Sequence, residues 1–184
     1  KNAMRYLQKR DITKREILKY GIGYCEEGLY RYRIIIPSYD RDTTLNYFVG
    51  RDYYGGTMKY KNPRVSKDVV GFESMIDWNQ PVILCEGVFD AIAIKRNAIP
   101  LFGKTIPPKL LKKFVERKVK KVYLILDADA QKDSIKIVDK LKSYQIDVNM
   151  ITLKDKDPSE LGFEKTINLI KQKKDSISFS DMMK

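Results

Sequence analysis

Histidine is absent from all 184 residues of the chain. That excludes histidine-dependent triads, imidazole metal ligands and a histidine general base within it. Any proton transfer falls to carboxylates, Lys, Tyr, water or substrate. Cysteine is nearly absent too: Cys25 and Cys85 stand far apart, the second inside an apolar segment. A buried free thiol and a reducing compartment are expected, and a zinc site is not. No apolar run approaches the roughly 20 residues of a membrane span. The start, Lys1-Asn2-Ala3-Met4-Arg5, has no signal-peptide pattern. The expectation is a soluble cytoplasmic protein without a membrane partner. There is neither an internal repeat nor a low-complexity tract. Acids are outnumbered: 36 Lys+Arg against 24 Asp+Glu give a net charge of +12. An excess of this size suits a polyanionic partner.

The first part, residues 1–79, reads as a small α+β subdomain. Ala3, Tyr6 and Leu7 make one apolar helix face. Thr13-Lys14-Arg15-Glu16 is a capping box that opens a helix carrying Ile17 and Leu18 and stopping near Gly21. From Tyr30 to Ile36 the residues alternate, with Tyr30, Tyr32, Ile34 and Ile36 on one face and Arg31 and Arg33 on the other. The pattern predicts a strand with one basic side, closed by Pro37 and a polar turn through Asp40 to Thr44. Leu45 to Arg51 forms the return strand. Gly50, Gly55 and Gly56 mark tight loops, and a short helix spans Phe72 to Ile76.

From Pro81 the pattern changes to strand 82–86, helix 88–96, short strand 98–102 and helix 107–118. Strand 121–127, helix 131–143, strand 147–153 and helix 158–172 follow. Strand–helix alternation predicts a parallel sheet with helices on both faces, over residues 80–174. Residues 175–184 read as a fraying tail. Three strands run straight into acids that come in pairs: Glu86 with Asp90, Asp127 with Asp129, Asp155 with Asp157. Parallel strands gather these acids on one edge, where open α/β sheets usually bind ligands. Six carboxylates there would repel one another unless a divalent cation sat among them, which points to Mg²⁺-assisted phosphate chemistry. Each pair also has a plainer reading, since an acid near a helix start caps it or offsets its dipole.

The set "CEGVFDAIAI", "VYLILDADA" and "LKDKDPSELG" resembles the Toprim domain shared by DnaG-type primases, topoisomerases and some nucleases. The resemblance extends to the first part, where "YLQKRDITKREILKYGIGY", "YRYRIIIPSYD" and "FVGRDYYGGTMKYKNP" are similar to the N-terminal subdomain of the DnaG-type catalytic core. It implies a Toprim-type α/β fold. It further implies Glu86, Asp127 and Asp129 as catalytic acids, and a metal set of Glu86, Asp90, Asp127, Asp129, Asp155 and Asp157 holding Mg²⁺, with Mn²⁺ as a substitute. Arg51 and Lys59 match the basic residues that face the active site in the family. Asn62 follows them, and Lys67 takes a third basic role. With Arg31 and Arg33 these residues would contact nucleic acid and NTP. The family's Ala-Gly pair after the two aspartates is replaced here by Gln131 and Lys132. Neither the family's zinc-binding domain nor the helical extension after Toprim is expected within these residues. The chain thus resembles a minimal, phage-type core or a fragment, in host cytoplasm if phage-encoded.

The activity implied is that of a DNA primase, a nucleotidyltransferase making short RNA primers on single-stranded DNA by two-metal phosphoryl transfer. Its partners would be the template, NTPs, a zinc-binding domain in cis or trans and a replicative helicase. Two alternatives use the same residues: a Toprim metal-dependent nuclease, and a non-catalytic nucleic-acid-binding replication module.

Overall fold

The computed structural model describes residues 2–126, 130–152, 164, 165 and 168. The chain divides into two compact units, Lys1–Met75 and Ile76–Lys184.

The first unit opens with α1 (Asn2–Gln8) and α2 (Lys14–Lys19). Glu16 Oε2 accepts from Thr13 N–H at 2.9 Å and from the Thr13 hydroxyl, so the capping box forms where the sequence places it. Leu18, expected on the apolar face, is 82% exposed; the buried aromatic is Tyr20, just past the helix, packed against Phe72 at 5.0 Å. An antiparallel sheet follows in the order β1-β2-β3-β4: β1 (Gly23–Cys25), β2 (Arg33–Tyr39), β3 (Leu45–Asp52) and β4 (Tyr60–Lys61). Ile34 and Ile36 of β2 are fully buried, and Tyr47 and Val49 of β3 nearly so. Each such aliphatic side chain contributes about 1.5–3 kcal/mol.

Two expectations for β2 need correction. The alternation at Tyr30–Tyr32 does not extend the strand: Gly28–Tyr30 is a 3-10 turn, and Tyr32 has φ 62°. A left-handed residue cannot continue a strand, so Arg31 does not share a strand face with Arg33. Nor does Pro37 close the strand; it lies inside β2, opposite Phe48. β1 reaches only as far as Ile35 on β2, so Pro37 occupies an edge position where its missing N–H breaks no ladder. The Asp40–Thr44 turn is as expected, with Asp40 Oδ1 accepting from the Asp42 and Thr44 N–H groups at 3.0 and 2.9 Å.

The second unit is a parallel sheet of order β6-β5-β7-β8. It runs β5 (Val82–Cys85), α3 (Val88–Ile94), β6 (Ala98–Pro100), α4 (Pro108–Glu116), β7 (Lys121–Leu126), α5 (Gln131–Lys142) and β8 (Asp147–Thr152). All four β5 residues and Val122–Leu126 of β7 are buried, as in a sheet covered on both faces. The chain leaves β5 toward one edge and β7 toward the other. Right-handed crossovers in opposite directions put α3 and α5 on opposite faces. Gln131 and Lys132 form the first turn of α5. Of the expected helix 158–172, Glu164, Lys165 and Asn168 are described; they are helical and exposed. The expected tail, 175–184, lies outside the described residues. Cys25 and Cys85 are both free thiols, Cys85 buried. Among the described residues no helix is long and apolar enough to cross a membrane.

Candidate functional site

Glu86 follows the last residue of β5 and is half-buried. Cys85 pairs with Ile125 of β7, and Leu126 pairs with Thr152 of β8, so three parallel strands finish nearly in line. Because the chain departs from β5 and β7 in opposite directions, their C-terminal ends flank the topological switch point. That is where open α/β sheets form a ligand crevice. Glu86 stands at this point. A Cβ on the next residue, Gly87, would lie 3.1 Å from Asp90 Oδ2. The turn closes this tightly because Gly87 N–H donates to that same oxygen at 3.1 Å. Asp90 is 8% exposed. Its carboxylate therefore caps the first turn of α3 from the third helical position, through the N–H of the N-cap residue Gly87, and the helix dipole favours it there. One member of the expected Glu86–Asp90 pair is already committed to holding its helix.

Asp127, Asp129, Asp155 and Asp157 lie outside the described residues. In sequence, Asp127 comes directly after Leu126, the end of β7. Among the described residues no three acidic or cysteine side chains form a metal cluster. The acids of this edge offer oxygen donors, and the chain has no histidine. That set suits a hard divalent cation such as Mg²⁺ rather than zinc, and Glu86 at the switch point fits it.

The basic residues divide by what already holds them. Arg51 lies on β3, opposite Ile34 of β2 and Tyr60 of β4. Its guanidinium carbon sits 4.6 Å from the Tyr60 ring centre and 5.5 Å from that of Tyr6 on α1. Its Nε is buried without a hydrogen-bond partner among the described residues. Two aromatic rings thus hold the cation without neutralising it, each contact worth about 0.5–1 kcal/mol where partly exposed. Burial pushes the Tyr60 phenol up from its ordinary value, and the charge and hydrogen bond of Arg51 partly offset that rise. Arg10, one turn after Tyr6, donates from Nε to the Tyr6 hydroxyl at 2.9 Å. Gly50 precedes Arg51, and a Cβ there would meet the Lys61 carbonyl oxygen at 2.5 Å. Only glycine lets β4 come close enough to bring Tyr60 against Arg51.

Lys59 is exposed, and its carbonyl accepts from Asp52 N–H at 3.0 Å. It therefore falls one register position away from the Arg51–Tyr60 pair. Asn62 hydrogen-bonds Tyr47 through its side chain, which ties it to the core. Arg33 donates to the carbonyls of Gly50 (3.4 Å) and Met58 (3.0 Å), bracing β3 and the loop before β4. Arg31 is exposed, its guanidinium carbon 4.5 Å from the Tyr32 ring centre. Lys67 is exposed. The sequence reading missed the holders of Arg51, Tyr6 and Tyr60, and Arg10 behind Tyr6. The available signal was the i, i+4 spacing of Tyr6 and Arg10, which puts the two on one helix side.

A family model described as Toprim-like matches residues 83–162. An uncharacterised protein of Mycoplasma genitalium is 29% identical over 162 residues, which cover 82% of this chain and 72% of that protein. Among solved structures, the zinc-binding and RNA polymerase domains of the Aquifex aeolicus primase superpose with a TM-score of 0.81 at 21% identity. That match covers 92% of this chain, which spans 55% of the Aquifex chain. A DnaG primase catalytic domain bound to single-stranded DNA gives a TM-score of 0.78 at 18% identity, covering 93% of this chain and 73% of the other.

Proposed function

We propose that this chain, which carries a Toprim-like domain and has the fold of the DnaG primase catalytic core, is a DNA primase: a nucleotidyltransferase that makes short RNA primers on single-stranded DNA. The observation that supports this most is the position of Glu86 at the switch point of the β6-β5-β7-β8 sheet.

Primer extension joins a 3′-hydroxyl to the α-phosphate of an NTP and releases pyrophosphate. The 3′-hydroxyl proton must leave, and charge on the phosphates must be balanced. Glu86, Asp127 and Asp129 are the proposed catalytic acids, with Asp90, Asp155 and Asp157 completing the set that would hold divalent cations. When bound, Mg²⁺ (or Mn²⁺) supplies the charge that a transferring phosphoryl group needs. In a chain without histidine, a carboxylate or water takes the proton, and Glu86 is proposed as metal ligand or as the base that takes it. Arg51 offers a planar cation held against two rings, which suits two-point contact with a triphosphate oxygen pair. Lys59 and Lys67, both exposed, supply point charges to NTP or template backbone. Arg31 lies open to the template. Arg33 and Asn62 act behind them, since their side chains already brace β3 and Tyr47. A zinc-binding domain and a replicative helicase are the proposed protein partners.

The test is incubation with single-stranded DNA, labelled NTPs and Mg²⁺ or Mn²⁺. Short labelled RNA that requires both template and cation is expected. Cation-dependent loss of input DNA without NTPs would instead identify a nuclease. Salt-dependent binding with neither reaction would identify a non-catalytic module.

A further inference from the structure

Four tyrosines cluster in the first unit where β1, the turn before β2 and the loop after β3 meet. Tyr32 and Tyr54 are stacked, with ring centres 4.7 Å apart and planes 19° from parallel. Tyr53 stands edge-on to Tyr54 at 6.4 Å and 74°. The Tyr53 phenol is pushed up from its ordinary value by burial and then by Glu26, Tyr24, Tyr32 and Tyr54 around it. Aromatic rings usually bury themselves. Here Tyr54 is 63% exposed, Tyr24 55% and Tyr32 37%.

The cluster is also fixed in place. Asp52 Oδ2 accepts from the N–H groups of Gly55 (2.8 Å) and Gly56 (2.7 Å), which pins the loop carrying Tyr54. Tyr53 N–H donates to the Tyr32 carbonyl at 3.3 Å, tying that loop to the turn before β2. Tyr32 itself holds φ 62°, an uncommon conformation for a bulky residue. The Arg31 guanidinium carbon lies 4.5 Å from the Tyr32 ring centre. Tyr32 is thus engaged by both Arg31 and Tyr54, and Tyr54 is the open end of the column. Two acids of this region are already occupied, Asp52 by the glycine N–H groups and Glu26 by the Tyr24 phenol.

We propose that Tyr54, backed by Tyr32 and Arg31, is a stacking platform for a base of single-stranded nucleic acid. An exposed ring held parallel to a second ring extends the stack to a third flat ring at little entropic cost. The Arg31 guanidinium beside Tyr32 adds positive charge along the same surface for the backbone phosphates of the strand. Together they match a nucleotide, flat on one side and anionic on the other, better than an aliphatic or acidic protein surface. Stacking of this kind is tolerant of sequence, since every base has a π-face. The inference rests on the nucleic-acid reading above and adds a base contact to it, distinct from the phosphate contacts assigned to Arg51, Lys59 and Lys67.

The experiment compares, at one salt concentration, binding of a fluorescent oligothymidylate and of an abasic backbone of equal length. The unsubstituted chain, Tyr54→Phe and Tyr54→Ala are each titrated, with circular dichroism to confirm folding. The unsubstituted chain and Tyr54→Phe should prefer the base-bearing strand. Tyr54→Ala should lose about 5- to 100-fold of that preference while binding the abasic strand as before. An undiminished preference in Tyr54→Ala would overturn the platform and leave the primase reading intact. Failure of the unsubstituted chain to bind either strand would overturn both.

Discussion

Replacing Gly50 by alanine tests the geometry that holds Arg51. The added Cβ would sit 2.5 Å from the Lys61 carbonyl oxygen, 3.2 Å from the Tyr30 ring and 3.4 Å from the Arg33 side chain. The first contact is with backbone, so no side chain can swing aside to relieve it. β4 has only two residues, paired as Gly50–Lys61 and Arg51–Tyr60. Opening the first pair by the roughly half an ångström that contact distances demand strains the second and lifts Tyr60 from the guanidinium. Overpacking of this kind costs about 1–3 kcal/mol. The stiffer unfolded chain returns about 0.4–1 kcal/mol of that, leaving a net loss of about 1–2 kcal/mol. Gly23→Ala is the matched control, since nothing lies within 4 Å of a Cβ there. In urea melts, a slope of about 1–3 kcal/mol per molar converts the loss into a midpoint lowered by about 0.3–2 M for Gly50→Ala, with Gly23→Ala unchanged or slightly raised by the stiffer unfolded chain. Equal midpoints for the two variants would refute the close approach of β4.

Tyr60→Ala should weaken NTP binding more than Tyr60→Phe does, because the Phe ring keeps its contact with Arg51 and loses only the hydrogen bond at the hydroxyl; steady-state KM for NTP in the two variants checks this. Asp90→Ala should cost about 1 kcal/mol in a urea melt through loss of the α3 cap, whereas Asp90→Asn, whose amide oxygen still accepts from Gly87 N–H, should cost little; equal losses would contradict the cap. Stability should also fall in alkali. Burial raises the Tyr47 and Tyr60 phenols above the ordinary 10.0, so above that pH the unfolded chain has lost protons that the folded chain keeps. Their contribution is fully present below the unfolded value and disappears as pH rises through the folded ones. Urea midpoints should be flat toward neutrality and decline above about pH 10, and Tyr47→Phe should shallow the decline.

The second unit was legible because its signal is coarse. Apolar runs such as Val82–Cys85 and Val122–Leu126 allow little besides buried parallel strands, and each is followed by helical spacing. Strand direction then brings Glu86 to the switch point without any knowledge of side-chain packing. The first unit was harder to read. Tyr30, Tyr32 and Ile34 alternate like a strand, yet the backbone turns at Tyr32, because periodicity cannot register a left-handed torsion outside glycine. Composition likewise marks Arg31, Arg33 and Arg51 as equivalent cations. Tertiary contacts separate them: Arg33 is bound to two carbonyls, Arg31 lies over a ring, and Arg51 is held between two. The difference depends on where α1 packs and how closely β4 approaches, and neither is encoded in the spacing of the arginines themselves.

The central claim is that acids at the C-terminal edge of the parallel sheet support templated nucleotide joining. Its most direct measurement is primer synthesis on single-stranded DNA with labelled NTPs and Mg²⁺ or Mn²⁺, comparing the unsubstituted chain with Asp127→Asn/Asp129→Asn. The account predicts short, template-dependent RNA from the first and none from the second, with both proteins equally folded by circular dichroism. Undiminished synthesis by the double variant would contradict it.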